Sequence, residues 1–150
     1  MSDKLNKSSN KIVTGVSGMV VSNGKVLLVL RKNAPFKNHW SLPGGRQNFG
    51  ERLEDAIARE IKEETALNII NPEFAFIYES ISADAANNAN DKTQYHYAIG
   101  VYKIMQFSGT LKPGDDALDA KWANLSDLRS LKLTPNTADL IKEHVGADLR

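Results

Sequence analysis

The chain has 150 residues, 41% of them hydrophobic, no cysteine, and a formal net charge of +1 at neutral pH. That length suffices for one domain with a real core, and the balanced charge excludes a broad basic field for nucleic acid or an acidic tail. Without cysteine there is no disulfide, no thiolate nucleophile and no thiolate metal site, so any metal must be held by oxygen or by histidine.

The start, MSDKLNKSSNK, is polar and has little to bury. We expect a mobile tail over residues 1–11 and one domain over 12–150. The tail lacks an apolar h-region, and no apolar run reaches the ~20 residues of a membrane span, so a cytoplasmic location is the default expectation. Two β-rich runs, IVTGVSGMVV and VLLVLRK, flank Asn23-Gly24. That pair signals a two-residue hairpin, because both central positions tolerate positive φ. Asn33 to Asn48 carries Pro35, Pro43, Gly44 and Gly45 and reads as loop.

From Leu53 to Thr65 the pattern turns helical, with Leu53, Ile57 and Ile61 recurring every fourth residue. Acids between Glu51 and Asp55 lie where a helix dipole favours them. Strands are predicted over Phe74 to Ser80 and Tyr95 to Phe107. The polar loop DAANNANDKTQ between them is either mobile or ligand-facing. KPGDD reads as a turn before a short strand around Lys121 to Ala123. LTPNTADLIKEHV reads as a terminal helix, with Thr134 as N-cap and Pro135 at the first helical position. This order implies a mixed α/β sandwich, with helices packed on a largely β core.

The stretch REIKEET places Glu60, Glu63 and Glu64 on one helix face. Like charges at i, i+3 and i+4 cost roughly 0.2–0.5 kcal/mol per pair, and Lys62 points elsewhere. A hard divalent cation among the acids would make them tolerable. Mg²⁺ suits such a place, since it takes oxygen ligands, keeps several waters and completes its shell with substrate phosphates. Pro43-Gly44-Gly45 lacks side-chain bulk, so backbone can approach a ligand closely. Arg31, Arg46 and Arg59 are candidate neutralisers of phosphate or carboxylate charge.

The run GRQNFGERLEDAIAREIKEETAL, Gly45 to Leu67, resembles the Nudix box: Gly, five residues, Glu, seven residues, then Arg-Glu-aliphatic-any-Glu-Glu-any-Gly-aliphatic. Gly45, Glu51, Arg59, Glu60, Ile61, Glu63, Glu64 and Leu67 all fall in place. Ala66 stands where the family has glycine, which serves the helix C-terminus, so the departure bears on backbone geometry more than on chemistry. The flanks HWSLPGG and GDDALDAKW are similar to Nudix enzymes too.

The resemblance implies an α/β/α sandwich with a mixed β-sheet between helices, and hydrolysis of a nucleoside diphosphate linked to another moiety. It implies Mg²⁺, or Mn²⁺ as the alternative. Glu60 and Glu64 would be the main metal ligands, and Glu63 a ligand or the holder of a metal-bound water. Arg59 would orient Glu60, Glu51 would lie behind the ligands, and the carbonyl of Gly44 or Gly45 would complete the sphere. The base that takes the water's proton varies across the family. Asp116 is the candidate for an extra acid from a late loop, with Asp115 as its rival and a turn cap as the bland alternative for both.

The flanks are similar to the branch holding ADP-ribose and nucleotide-sugar hydrolases. The proline often found past the box in ADP-ribose subtypes is replaced by Ser82-Ala83, and the tyrosine of dinucleoside polyphosphate subtypes has its nearest upstream counterpart in Tyr78. GDP-mannose mannosyl hydrolases have an altered box and a late-loop histidine. This chain keeps the box acids and has no histidine between Gly109 and Trp122, which favours cleavage at phosphorus. A house-cleaning hydrolase of noncanonical nucleoside triphosphates shares the same site, and a non-catalytic nucleotide-sensing module is the third reading. The implied partner is a small nucleotide, with neither nucleic acid nor membrane. The sequence leaves the oligomeric state open, although the resemblance allows a homodimer.

His96 lies in an alternating stretch and reads as packed or hydrogen-bonded. Trp40 reads as packing beside the Gly-rich turn. Phe36 and Tyr95 could stack on a nucleobase or simply pack. His39 and His144 read as surface residues, and no Ser/His/Asp nucleophile arrangement is supported.

Overall fold

The computed structural model describes residues 11–82, 95–114 and 116–150. The chain opens with β1 (Ile12–Ser22), turns at Asn23-Gly24 and returns as β2 (Lys25–Arg31). Asn23 has φ 51° and Gly24 has φ 76°, the doubly left-handed turn expected of that pair. Two short strands follow, β3 (Trp40–Ser41) and β4 (Gly44–Arg46), and then helix α1 (Leu53–Thr65). After α1 come β5 (Asn68–Ile70), β6 (Glu73–Ile81), β7 (His96–Ile104), β8 (Gln106–Ser108) and β9 (Ala117–Ala123). The chain closes with the single-turn α2 (Asp127–Ser130), then α3 (Thr137–Val145) and a short 3₁₀ turn.

The main sheet runs β3-β2-β1-β7-β6, with β4 added to β1 and β9 added to β2. β1 and β7 are parallel from Ile12↔His96 to Val20↔Ile104, while β1–β2, β1–β4 and β6–β7 are antiparallel. β5 and β8 form a separate two-stranded sheet. The sheet is mixed because β7 runs parallel to β1 while β2 and β4 run antiparallel to it.

Alternation along the strands builds two cores. Val16, Val20, Leu27, Tyr102 and Ile104 pack with Ile57 and Ile61 of α1 on one face. Met19, Val21, Val26, Leu28 and Val101 pack with Ile141 and Val145 of α3 on the other. Ile57 and Ile61 are fully buried, which confirms the apolar stripe predicted for α1. The result is an α/β/α sandwich with the sheet between α1 and α3.

Four sequence-based expectations need correction. Asn33 to Asn48 is not all loop, since Gly44 to Arg46 forms β4, paired with Ser17, Val16 and Gly15 of β1. The strand expected from Tyr95 to Phe107 breaks at Met105, because Ile104 ends β7 and Gln106 starts a strand of the other sheet. The last strand starts at Ala117, earlier than Lys121, drawn out by pairing with β2 from Val26 to Arg31. The terminal helix starts at Thr137, with Asn136 as its N-cap in a left-handed conformation. The Thr134 hydroxyl bonds to the Thr137 hydroxyl instead of capping a backbone N–H, which leaves Pro135 outside the helix.

His144 also departs from expectation: it is partly buried and stacks on Phe76 with ring centroids 3.9 Å apart. His96 behaves as read, bonded to Glu79 at 2.9 Å. Trp40 packs against the α3-side core, with Lys121 Nζ 5.0 Å from its ring centroid. The DAANNANDKTQ loop, Asp115 and residues 1–10 of the expected tail lie outside the described residues. Among the described residues, no helix is long and apolar enough to cross a membrane.

Candidate active site

α1 ends in the residues that matter, and the surrounding backbone is arranged around their carboxylates. Arg59 sits at the centre. Its Nε and Nη2 donate to the two oxygens of Glu51 at 2.7 and 2.9 Å. Its Nη1 donates to Glu60 Oε1 at 3.0 Å and to Glu63 Oε1 at 3.2 Å, and Nη2 also reaches the Arg46 carbonyl at 2.9 Å. One guanidinium thus ties the loop before α1, β4 and two acids of the cluster together, which its planar fork allows and a lysine's point charge does not.

β4 supplies the opposite wall. A Cβ on Gly45 would lie 1.6 Å from Glu60 Oε2, and a Cβ on Gly44 would lie 2.0 Å from the Val16 carbonyl oxygen. Glycine at 45 therefore makes room for a carboxylate, and glycine at 44 makes room for the sheet. The Gly44 N–H donates to Glu64 Oε1 at 2.9 Å. Pro43 is held in place by the Gly18 N–H, which donates to its carbonyl at 2.9 Å.

The late loop closes the third side. The last carbonyls of an α-helix lack partners within it. Here Lys112 N–H donates to the Thr65 carbonyl at 2.9 Å and Gly114 N–H to the Glu64 carbonyl at 3.2 Å. This strapping brings exposed Asp116 to the rim of the same cleft, and its charge raises the pKa of Glu64.

The electrostatics separate the acids. The hydrogen bonds from Arg59, and then from the Asn48 N–H, lower Glu51 to about 2. Glu51 in turn raises the pKa of Arg59, so that pair is fully ionised. Burial raises Glu60 to about 7, against the pull of Arg59. Burial raises Glu64 to about 8, opposed chiefly by the Gly44 N–H. Two carboxylates side by side thus resist ionisation in the absence of a cation.

Among the described residues, no three acidic or histidine side chains stand close enough together to hold a metal ion as they are. Arg59 and the Gly44 N–H already claim oxygens of Glu60, Glu63 and Glu64. The donor set still fits a hard divalent cation. Mg²⁺ needs one or two carboxylates, with waters and substrate phosphates supplying the rest. Glu60 and Glu64 beside the Gly44-Gly45 backbone provide that much.

A cleft of about 960 Å³ opens from these groups. Arg31, Arg46 and Glu63 line it, as do Phe36, Tyr78, Tyr95, Tyr97 and Asn136. Arg31 donates from Nε to the Pro35 carbonyl at 2.7 Å, and its charge lowers the pKa of Glu64. A shallower hollow of about 360 Å³ beside Val13, Gln47 and Phe49 contains none of Glu60, Glu63 and Glu64. Asn136, Tyr97 and Ser80 were not singled out in the sequence. Only the asparagine before a helix gave any local signal.

The family model described as NUDIX domain matches residues 12–144. The chain belongs to the Nudix family. It is a Nudix pyrophosphohydrolase, and the Gly45 to Leu67 run is its Nudix box. It is 35% identical over 130 residues to an ADP-ribose pyrophosphatase of Methanocaldococcus jannaschii, covering 87% of this chain and 71% of that one. It is 30% identical to a MutT NUDIX hydrolase from Burkholderia pseudomallei, whose crystal structure superposes with a TM-score of 0.78 over 91% of this chain and 99% of that one. The NUDIX domain of Shewanella oneidensis NrtR, solved with ADP ribose, shares the fold at 23% identity, with a TM-score of 0.72 over 97% of each chain.

Proposed function

We propose that this Nudix enzyme hydrolyses the pyrophosphate linkage of a nucleoside diphosphate derivative of the ADP-ribose or nucleotide-sugar type, by water attack at phosphorus with Mg²⁺ or Mn²⁺. The observation that carries it is the convergence of Glu60 and Glu64 on the Gly44-Gly45 backbone, in the wall of a cleft of about 960 Å³. The named activity of the Methanocaldococcus jannaschii relative supports the substrate class.

Glu60, Glu64 and the Gly45 carbonyl would hold the cation, with Glu63 assisting from the exposed side. When bound, the cation supplies charge neutralisation for the diphosphate and acidifies water. Arg59 fixes Glu60 and Glu63, and Glu51 fixes Arg59. Arg31 and Arg46 face the cleft as phosphate neutralisers. A carboxylate of the site, Glu64 or Asp116, accepts the water's proton as the water oxygen bonds to phosphorus. The P–O bond to the bridging oxygen breaks, and AMP and a sugar phosphate leave.

The test is turnover of ADP-ribose, nucleotide sugars and nucleoside triphosphates with magnesium, with products identified. AMP plus sugar phosphate is expected. A 44-residue stretch 52% identical to a putative 8-oxo-dGTP diphosphatase of Bacillus subtilis favours one alternative, a nucleoside triphosphate pyrophosphatase, which would release a nucleoside monophosphate and pyrophosphate instead. Glu64→Gln should lower kcat by orders of magnitude and leave the fold intact. An unimpaired variant would mean the metal site lies elsewhere.

A further inference from the structure

We propose that Asn136 and Tyr78 form the base-reading pair of the cleft and select adenine over 6-oxo purines. This deepens the function proposed above and rests on a nucleoside diphosphate entering the cleft.

The carboxylate end of the cleft takes the diphosphate, which leaves the base to the remaining walls. One of these is the sheet face bearing Tyr78, Ile99 and Tyr97, where Tyr78 is paired with Ile99 and Ser80 with Tyr97 across β6 and β7. Ile99 and Tyr97 offer an apolar surface under a base, which leaves the Tyr78 hydroxyl to meet the base's edge. Beside it stands Asn136, with φ 66° and ψ −3° at the start of α3. Asparagine enters that left-handed region more readily than other residues with a side chain. Its Nδ2 donates to the Tyr78 hydroxyl oxygen at 2.7 Å, joining residues 58 positions apart. Neighbouring Thr134 and Thr137 spend their hydroxyls on each other.

The bond from Asn136 sets the polarity of what remains. Asn136 keeps its Oδ1 as an acceptor, and Tyr78 keeps its hydroxyl hydrogen as a donor. Acceptor beside donor is the complement of adenine, whose 6-amino group donates and whose N1 accepts. Hypoxanthine and guanine reverse both atoms, with O6 accepting and N1–H donating. A 6-oxo purine would thus meet acceptor with acceptor and donor with donor. The opposite amide orientation would present a donor from Asn136 and an acceptor from Tyr78, and would select the 6-oxo base.

Calorimetric titration of the full chain with ADP and with IDP, in magnesium, isolates these two atoms. ADP is expected to bind about tenfold or more tightly, the lower end for a two-bond base contact. Tyr78→Phe removes the donor, and Asn136→Gly removes the acceptor while accepting the left-handed backbone. Each should bring the ADP-to-IDP ratio near one, and raise KM for ADP-ribose with kcat kept. An equal or reversed ratio in the unaltered protein overturns the proposal, as does an unchanged ratio in both variants. Selectivity for ADP without turnover of ADP-ribose would sink the substrate assignment and leave the base-reading pair standing.

Discussion

Arg59 and Glu51 meet through two parallel hydrogen bonds, Nε to Oε2 at 2.7 Å and Nη2 to Oε1 at 2.9 Å, before Arg59 touches any acid of the cluster. Glu51 lies just outside the N-terminus of α1 and Arg59 two turns along it. The pair therefore fixes the direction from which the guanidinium approaches Glu60 and Glu63. Glu51→Gln offers one acceptor where the fork needs two. Partners standing behind ligands in this way typically matter about 10–100-fold in metal affinity or activity. A loss in that range is expected in kcat/KM and in calorimetric Mn²⁺ affinity. Unchanged values for both would show that Glu51 only serves the helix start.

Gly44 and Gly45 adjoin each other yet should fail differently. Gly45→Ala drives a Cβ into the Glu60 carboxylate, the far end of a side chain that can swing away. Activity should collapse with a modest change in Tm. Gly44→Ala drives a Cβ into the Val16 carbonyl and the Ser17 Cα, which are backbone of the central strand. Tm should fall sharply there, because β1 or β4 must move. Thermal melts and turnover of both variants check this, and equal melting losses would contradict it.

The parts of this structure legible in the sequence were local. α1 matched its predicted bounds because Leu53, Ile57 and Ile61 mark one face, and the first hairpin followed from Asn23-Gly24. β4 was hidden, since three residues led by two glycines carry no apolar alternation. They are a strand because β1 offers them a free edge at Gly15 to Ser17. The acids of the box could be named in advance, but their partners could not. Glu64 is held by the Gly44 N–H twenty residues away. The late loop is held by N–H groups of Lys112 and Gly114 on the end of α1. Backbone donors look alike in every sequence, so such contacts leave no trace in residue type.

Ala66 provides a stability test independent of catalysis. It occupies the box position that glycine fills in the family, with φ 67° and ψ 6°, and its N–H closes α1 on the Lys62 carbonyl. A left-handed conformation costs a residue with a Cβ roughly 1–2 kcal/mol. Ala66→Gly removes that strain and loses part of the gain through a freer unfolded chain. A net stabilisation of about 1 kcal/mol is expected, which is about 2–4 °C in Tm for a chain of this size. Activity should be retained. A lowered Tm would mean that the Ala66 methyl contributes packing that outweighs the backbone strain.

Protons and a divalent cation compete for the same two carboxylates. Glu60 and Glu64, raised to about 7 and about 8 from 4.5, bind protons in the folded protein that the unfolded chain has already released. Their contribution to stability is complete below about 4.5 and is lost as pH rises through 7 and 8. Glu51, lowered to about 2, acts in the opposite sense, and its contribution is lost only as pH falls from 4.5 through 2. Metal-free protein should therefore melt at progressively lower temperature between pH 5 and pH 8.5. A divalent cation must displace the protons of Glu60 and Glu64, so its stabilising effect should grow over the same interval. Melting curves at pH 6 and pH 8.5, each with chelator and with magnesium, test both statements. If the chelated protein melts at one temperature throughout, Glu60 and Glu64 are already ionised and the carboxylates do not resist charge as their burial implies. If magnesium raises Tm more at pH 6 than at pH 8.5, the cation binds away from these two groups.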